Sequence, residues 1–194
     1  VLVAARELNQ DNLPPDAQNW VNQRLQYTHG YGLVMSPATE FTPGEGRPKF
    51  LLQDIPIKGD FPVVSPELYY GEMPTGFAIV NSALPEVGPV GQAEHYGGNG
   101  GVFLNSLLRR VSFASQFGDI NILLSSQLTP ESRIQYRREI RSRVKEVAPF
   151  LKLDLDPYPV LDQAGKLWWL QDAYTATERI PYASPTARPL PRAE

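Results

Sequence analysis

Proline is the sequence feature that most limits how this chain can fold. Nineteen prolines are spread along its 194 residues, about twice the usual share of roughly 5%. Each proline lacks a backbone N–H and clashes with a continuing helix, so it interrupts helices and central strands alike. We therefore expect short elements separated by frequent turns, rather than long helices or wide sheets.

Composition excludes several classes of protein. The apolar fraction of 42% and the charged fraction of 20% are typical of a globular protein and argue against general disorder. The chain has no cysteine, which excludes a disulfide framework, a thiolate zinc site and a thiol nucleophile. Its net charge of −3 gives no electrostatic reason to expect a nucleic-acid partner.

The apolar runs and the first residues of the sequence suggest how the chain arises. The longest purely apolar runs are far shorter than the ~20 residues that span a bilayer. The first residues show no charged-then-apolar signal peptide and no initiator methionine. We therefore expect Val1 to begin an excised or processed fragment.

The N-terminal third predicts a strand, a helix and a second strand. Residues 1–9 have strand composition. Residues 15–27 show helical spacing, with Trp20, Val21 and Leu25 on one buried face. Gly30 lies where a left-handed C-cap glycine is expected, and residues 33–35 predict the next strand.

The middle of the chain predicts short strands and then a helix. Residues 49–56, 67–73 and 77–82 have strand composition. A helix is predicted over 102–118, ended by Gly118, with an apolar stripe made of Leu104, Leu107, Leu108, Val111 and Ala114. Residues 119–126 fit either a short buried helix capped by Asp119 or a strand, and we favour the helix.

The last third predicts one long helix and a hairpin. Residues 129–148 have the clearest helical signals, with Thr129 as N-cap and Pro149 as the stop. Residues 158–175 predict a β-hairpin that turns at 163–165. We therefore predict an α+β fold, a single domain over residues 1–180 of short mixed or antiparallel strands with about three to four helices. Residues 181–194 are expected to be a proline-rich extended or disordered tail.

Four stretches together resemble a known family. They are ARELNQDNLPPDAQNWVNQRLQYTHGYGLVMSP, GGVFLNSLLRRVSFASQFGDINILLSS, LTPESRIQYRREIRSRVKEVAPFLKLDLDPYPVL and LWWLQDAYT. In this order they are similar to the large bacterial membrane proteins of uncharacterised protein family 0182, from about Ala5 to Tyr182. The chain lacks the further soluble sequence that follows in family members.

The resemblance implies a place in a larger protein but no activity. Family members look like multi-pass membrane proteins with a long soluble region outside the cytoplasmic membrane, and this chain resembles the first part of that region. The implied location is the extracytoplasmic face of the bacterial cell membrane. The implied partners are the transmembrane part and the downstream soluble region of the parent protein. The family supplies no catalytic residue that could be carried over.

The histidines are the first candidate site residues. His29 lies between Tyr27 and Tyr31, and a histidine among tyrosines could be a general base or bind a ligand. Because it is expected at a helix C-terminus, a structural role explains it equally well, and we favour that role. His95 is the only other histidine, so a shared site requires the two to meet in space.

A glycine-rich loop is the second candidate. Gly97, Gly98, Gly100 and Gly101 precede the helix predicted over 102–118. A glycine loop that leads into a helix N-terminus can bind an anion through backbone N–H groups. The specific phosphate-binding spacings are missing, so a plain turn is the simpler interpretation.

A basic helix face is the third candidate. On the helix predicted over 129–148, the basic residues Arg133, Arg137, Arg141 and Lys145 form an i, i+4 ladder beside Arg138. An anionic lipid surface is a predicted partner for such a ladder, and a partner protein is another. A solvated face paired with nearby acids is the alternative, and the more common one.

The adjacent Trp168 and Trp169 are the fourth candidate. On a strand they point to opposite faces, so one can be core while the other is exposed. An exposed tryptophan would suit a sugar or a partner protein, whereas a covered one is ordinary packing.

These residues together favour a non-enzymatic module. We find no assembled nucleophile–base pair in the sequence, and we predict no metal site, no catalytic residue and no cofactor. The favoured function is the extracytoplasmic module of a multi-pass envelope protein, which mediates assembly or ligand contact. The alternative is an envelope hydrolase acting on a cell-wall or lipid substrate, with His29 or His95 as general base.

Overall fold

The computed structural model describes residues 1–44 and 46–175. The strands are short, as the prolines predict, and they pair in antiparallel ladders. In chain order they are β1 Leu2–Ala5, β2 Gly30–Tyr31, β3 Leu33–Ser36, β4 Leu52–Gln53, β5 Lys58–Gly59, β6 Glu67–Leu68, β7 Ala78–Val80, β8 Glu86–Val87, β9 Ala93–Glu94, β10 Val102–Phe103, β11 Arg133–Gln135, β12 Lys152–Leu153, β13 Tyr158–Leu161, β14 Leu167–Leu170 and β15 Ala173–Tyr174.

The helical segments are also short. They comprise α1 Leu107–Phe117, α2 Asn121–Leu124 and α3 Ile140–Val147, two 3₁₀ turns at Gln10–Asn12 and Pro15–Ala17, and a π-helical turn at Asn22–Gln26. Helices and strands thus alternate in irregular order, and the predicted α+β class is confirmed. The predicted tail at 181–194 and the last residues of the predicted domain lie outside the described residues.

Two sheets organise the described residues. The larger has the strand order β1-β3-β4-β5, and the smaller has the order β10-β11-β7. Strand β11 is central in the smaller sheet, where Ile134 lies opposite both Ile79 and Val102. The other strands form two-stranded ribbons, paired as β2-β6, β8-β9, β12-β15 and β13-β14.

The hydrophobic core lies between the three-stranded sheet, α1, α2 and the π-helical turn. Its buried members come from all four elements and the segments beside them: Leu25, Phe77, Ile79, Leu104, Ala114, Ile122, Leu128 and Ile134. Trp20 and Val21 pack against it. The predicted buried face of Trp20, Val21 and Leu25 therefore does meet the core.

The backbone of that segment differs from the helix predicted over 15–27. Residues 15–17 form a 3₁₀ turn, and residues 22–26 form a π-helical turn in which the Tyr27 N–H donates to the Asn22 carbonyl at 2.7 Å. The Asn19 side chain accepts from the Asn22 N–H, which begins this turn separately. Asparagine side chains compete for backbone N–H groups in this way, and the helix is divided as a result.

Gly30 is not the predicted left-handed C-cap. It lies in strand β2, and the positive φ of +65° belongs to Gly32. A Cβ on Gly30 would lie 2.2 Å from the Arg6 carbonyl oxygen. Gly30 is therefore required by the close approach of a neighbouring backbone and not by its own conformation.

The helix predicted over 102–118 is confirmed from residue 107 onward. Ser106 caps α1 by accepting from the Arg109 N–H, and Gly118 ends it in the left-handed region at φ 63°. The predicted apolar stripe is only partly confirmed, because Leu104, which lies before α1, and Ala114 belong to the core. Ala114 faces the core, but Leu107, Leu108 and Val111 are exposed. The face that packs inward carries Phe113 and Phe117.

The single helix predicted over 129–148 is also wrong. Residues 133–135 form the central strand β11, and a helix exists only over 140–147. Pairing of β11 with strands on both sides buries Ile134 completely. Burial between two neighbours outweighs a local helical pattern, because intrinsic helix propensity amounts to only a few tenths of a kcal/mol per residue.

Two other predictions for the C-terminal half are confirmed. Residues 121–124 form the short helix favoured for 119–126, and Asp119 accepts from the Asn121 N–H at its start. Strands β13 and β14 form the predicted hairpin, with Gly165 in its turn at φ +80°.

Candidate functional site

A cleft of about 280 Å³ brings together three of the predicted site residues. Tyr27, His29 and Tyr31 all line it, together with Ile55 and Val87. The π-helical turn ends at Tyr27, and β2 begins at Gly30, so Thr28 and His29 lie in the bend between them. Both of these bend residues are buried.

The His29 ring is held by a hydrogen bond at Nδ1, whereas Nε2 forms no hydrogen bond with the described residues. Nδ1 lies 3.0 Å from the Gly30 carbonyl oxygen, and because a carbonyl only accepts, Nδ1 carries the proton. Nε2 then faces two carboxylates, at 3.3 Å from Glu94 Oε2 and 3.8 Å from Glu86 Oε2. The side chain is only 2% exposed.

The two carboxylates come from one ribbon. Glu86 of β8 and Glu94 of β9 are direct partners across the ladder, so their side chains share one face. Glu86 Oε2 accepts from Thr28 Oγ1 at 2.7 Å and from the Tyr69 hydroxyl at 2.6 Å. Burial, followed by the charge of Glu86, raises the pKa of Tyr69 well above its ordinary value.

We call His29, Glu86, Glu94, Thr28 and Tyr69 the buried polar cluster. Like charges directly opposite each other on a ribbon repel. The His29 ring lies beside both carboxylates and fills the space next to these two groups.

The contacts within the buried polar cluster indicate a structural role and not a catalytic one. A general base must reach its substrate with a free ring nitrogen, whereas both nitrogens of His29 face groups of the protein itself. The nearby hydroxyls of Thr28 and Tyr69 both donate to Glu86, so neither is held by His29 as a nucleophile would be. Within residues 1–44 and 46–175, no three His, Cys, Asp or Glu side chains are arranged to hold a metal ion.

Arg138, predicted to lie beside an exposed basic ladder, is buried next to this cluster. Its guanidinium donates to the Tyr69 carbonyl at 2.6 Å and to the Thr28 carbonyl at 2.5 Å. Burial lowers its pKa to about 10. Arg138 thus joins the cluster to the segment before α3, and it is not available to a lipid or a partner.

The predicted basic ladder does not exist. Arg133 lies on β11, where its guanidinium covers the Phe103 ring at 3.9 Å. Arg137 lies between β11 and α3 at φ 51° and pairs with Glu146 at 3.2 Å. Of the four ladder residues, only Arg141 and Lys145 share helix α3. The prediction of lipid contact therefore loses its geometric basis, and the contact itself stays untested.

The glycine-rich loop does not lead into a helix. Residues Val102–Phe103 after it form strand β10, and α1 begins only at Leu107. The loop closes on Tyr96, whose hydroxyl accepts from the Gly100 N–H at 2.7 Å. Gly101 has a positive φ of +85°, a conformation that favours glycine. A Cβ at Gly97 would meet no other atom within 4 Å, so no close contact requires glycine there. The turn interpretation fits this geometry, and the anion cradle does not.

His95 does not join His29. It is exposed and follows strand β9, whereas Glu94, the last residue of β9, reaches the His29 ring. Sequence reasoning missed both Glu86 and Glu94 as site residues. The available signal was the run EVGPVGQAE, in which glycines at 88 and 91 close a hairpin that places the two glutamates opposite each other.

The helices α1 and α2 present a second notable feature. Five apolar side chains on these helices or immediately beside them are exposed, with exposed fractions from 44% to 75%: Leu107, Leu108, Val111, Ile120 and Leu124. We call these five the apolar helix surface. Exposed apolar side chains concentrated on adjoining elements are typical of interaction sites.

Comparison with known sequences assigns the family. The sequence model of an uncharacterised protein family, UPF0182, matches residues 1–192. The chain belongs to UPF0182. A UPF0182 protein of Pelotomaculum thermopropionicum is 51% identical over 95% of the chain, and one of Desulforamulus reducens is 44% identical over the same share. A UPF0182 protein of Moorella thermoacetica is 42% identical over 96% of the chain.

These relatives are much longer than the chain. The matched segment is 21% of the Pelotomaculum protein and 20% of the Desulforamulus protein. The chain thus spans about a fifth of the curated UPF0182 proteins it matches. In the described part of the chain, no helix combines the length and the apolar content that a membrane crossing requires. No solved structure matches the chain.

Proposed function

We propose that this chain is a non-catalytic module on the extracytoplasmic face of a multi-pass bacterial membrane protein, and that it mediates assembly of that protein. The sequence resemblance supports the location. The length of the UPF0182 relatives supports the idea of a module, because about four-fifths of each protein lies outside the matched segment.

The apolar helix surface is the observation that carries this proposal. Helix α1 already meets the core through Phe113, Ala114 and Phe117. Leu107 and Leu108 lie outside that face, with exposed fractions of 71% and 75%. Burying a leucine side chain stabilises an interface by roughly 1.5–3 kcal/mol. Among the residues that the structure describes, these two side chains stay mostly exposed, so most of this stabilisation is available to a partner.

The occupant of this surface is the remainder of the parent polypeptide. A covalently connected segment has a high effective concentration, so a modest apolar contact is sufficient to hold it. Its contacting face should be apolar, because the surface offers leucine, isoleucine and valine side chains in place of charges.

The geometry at the histidines favours this proposal over an envelope hydrolase. His29 is buried, with Nε2 facing the carboxylates of Glu86 and Glu94, and His95 is exposed. Neither histidine forms a base–nucleophile pair within the described residues, although an enzyme of this kind requires one.

Co-purification tests the assembly. The tagged chain is co-expressed with the remainder of its parent protein as a separate polypeptide. Leu108→Glu should reduce the recovered complex at least tenfold, whereas Gln116→Glu introduces the same charge at an exposed polar position of α1 and should not. Equal recovery of both variants would contradict the proposed surface, provided that both melt like the unmodified chain.

Cysteine labelling tests the location separately. The chain has no cysteine, so Gln163→Cys, in the exposed hairpin turn away from the apolar helix surface, gives one exposed thiol in a parent protein freed of other cysteines. A membrane-impermeant maleimide should label it in intact cells, or in spheroplasts where an outer membrane blocks access. Labelling only after the cytoplasmic membrane is broken would place the module on the other side.

A further inference from the structure

A second cleft, of about 370 Å³, lies between the segment that contains β6 and the strand β14. Trp168, Trp169 and Tyr70 provide aromatic walls, and Ser65, Glu67 and Lys166 provide polar groups. Its volume is near the low end of the roughly 300–1,000 Å³ that is usual for small-molecule sites. The cleft shares Tyr69 with the buried polar cluster and shares no residue with the apolar helix surface.

The orientation of Trp168 is fixed although the side chain is 56% exposed. Its indole N–H donates to Asp162 Oδ2 at 2.8 Å. Asp162 Oδ1 in turn accepts from the N–H groups of Ala164 and Lys166, at 2.8 Å and 2.9 Å. Because the indole N–H is already bonded, the ring offers its apolar face to a ligand.

The two walls of the cleft are also joined. The Val64 N–H donates to the Gly165 carbonyl at 2.8 Å, which connects the segment before β6 to the turn of the hairpin. A Cβ on Gly165 would lie 2.7 Å from the Pro62 carbonyl oxygen, so the close approach depends on glycine. The cleft is therefore preformed, which lowers the free-energy cost of binding.

The polar groups in the cleft are mixed in charge. Ser65 has a hydroxyl group, Glu67 a carboxylate and Lys166 an ammonium group. Within residues 1–44 and 46–175, none of these three side chains forms a hydrogen bond or an ion pair. They can donate to and accept from a ligand with many hydroxyl groups, and their formal charges cancel.

We propose that this cleft binds a short saccharide. A sugar ring has an apolar C–H face that stacks on an aromatic ring and a rim of hydroxyl groups that both donate and accept hydrogen bonds. The fixed Trp168 face and the neutral set of polar groups match these two properties. A nucleic acid or a phosphorylated ligand would instead need an excess of cations. The proposal does not depend on the assembly role of the apolar helix surface.

Titration of the chain with neutral disaccharides tests the proposal. Chitobiose, cellobiose and maltose are each added up to about 10 mM, a range suited to weak binding. Tryptophan fluorescence and saturation-transfer NMR report the contact. At least one disaccharide should bind, Trp168→Ala should weaken that binding at least tenfold, and Trp168→Tyr should retain part of it.

Two further variants separate binding from folding. Leu170→Ala alters the same strand outside the cleft and should bind like the unmodified chain. Because Trp168→Ala also removes a hydrogen bond in the turn, Glu67→Gln is needed as a second cleft variant, and it should weaken binding severalfold with an unchanged melting temperature. The proposal is overturned if none of the three disaccharides binds. It is also overturned if the Trp168→Ala and Glu67→Gln variants bind as well as the unmodified chain.

Discussion

Glu86 and Glu94 face each other across the β8–β9 ribbon, and one edge of the buried His29 ring lies beside both carboxylates. Two like charges in this position would push the ribbon apart if nothing lay between them. His29 therefore stabilises the ribbon, and it also joins the ribbon to the segment between the π-helical turn and β2.

Replacing His29 should destabilise the chain. His29→Ala removes the buried ring that lies beside both carboxylates and leaves a cavity in its place, and the expected loss in the free energy of unfolding is about 2–4 kcal/mol. Urea unfolding followed by circular dichroism measures this loss. His95→Ala is the matched control, and because His95 is exposed it should change stability by less than about 0.5 kcal/mol.

A double mutant tests the cause of that loss. Glu94→Gln removes one of the two like charges, so in the His29→Ala background it should restore part of the lost stability. If Glu94→Gln instead lowers the free energy of unfolding in that background as much as it does in the unmodified chain, charge repulsion is not the reason for the His29 effect.

Gly30→Ala should destabilise the chain because of steric contact. The new Cβ would lie 2.2 Å from the Arg6 carbonyl oxygen, and backbone atoms cannot rotate away as a side chain can. We expect a loss of about 1–3 kcal/mol in the free energy of unfolding. Gly97→Ala, where a Cβ meets nothing within 4 Å, should be close to neutral. Similar melting temperatures for the two variants would refute this explanation.

The stability of the chain should fall at alkaline pH in a way that depends on Tyr69. Burial and Glu86 raise the pKa of Tyr69 above its ordinary value. Above pH ~10 an unfolded tyrosine releases its proton while the folded Tyr69 retains it. The folded state then binds more protons, so stability decreases as pH rises, by up to about 1.4 kcal/mol per pH unit.

Urea unfolding at several pH values above neutrality measures this slope. Tyr69→Phe cannot ionise and should show a shallower fall above pH ~10, although it starts from a lower stability because it lacks the hydrogen bond to Glu86. An equal slope in both proteins would mean that other groups account for the alkaline loss. Tyr31 and Tyr70 are two such groups, because burial raises their pKa values as well.

Local signals in the sequence predicted the elements that local interactions control. Gly118 ends α1 at the predicted position, and the β13–β14 hairpin turns at Gly165 within the predicted turn. The proline content likewise predicted short elements. Local signals of this kind show which elements occur, so the α+β class could be predicted without knowing how the strands pair.

Elements controlled by distant partners could not be predicted in this way. Arg133–Gln135 has helical spacing on both sides, yet it pairs with Ala78–Val80, more than fifty residues earlier. The candidate site depends on the same kind of pairing. His29 was identified from its neighbours, whereas Glu86 and Glu94 reach it only through the folded ribbon, and no local spacing relates them to residue 29.

The hydrogen bond from Arg138 to the Thr28 carbonyl connects residues 110 positions apart, and it has a consequence for synthesis. A ribosome releases the chain from its N-terminus, so Thr28 emerges long before Arg138 does. Until Arg138 arrives, the Thr28 and Tyr69 carbonyls lack their donor, and β7 lacks its neighbour β11. The N-terminal half of the chain is therefore synthesised before the residues that complete its hydrogen bonds and its smaller sheet are present. If the segment is exported as we propose, nearly all of it must cross the membrane before its core can close.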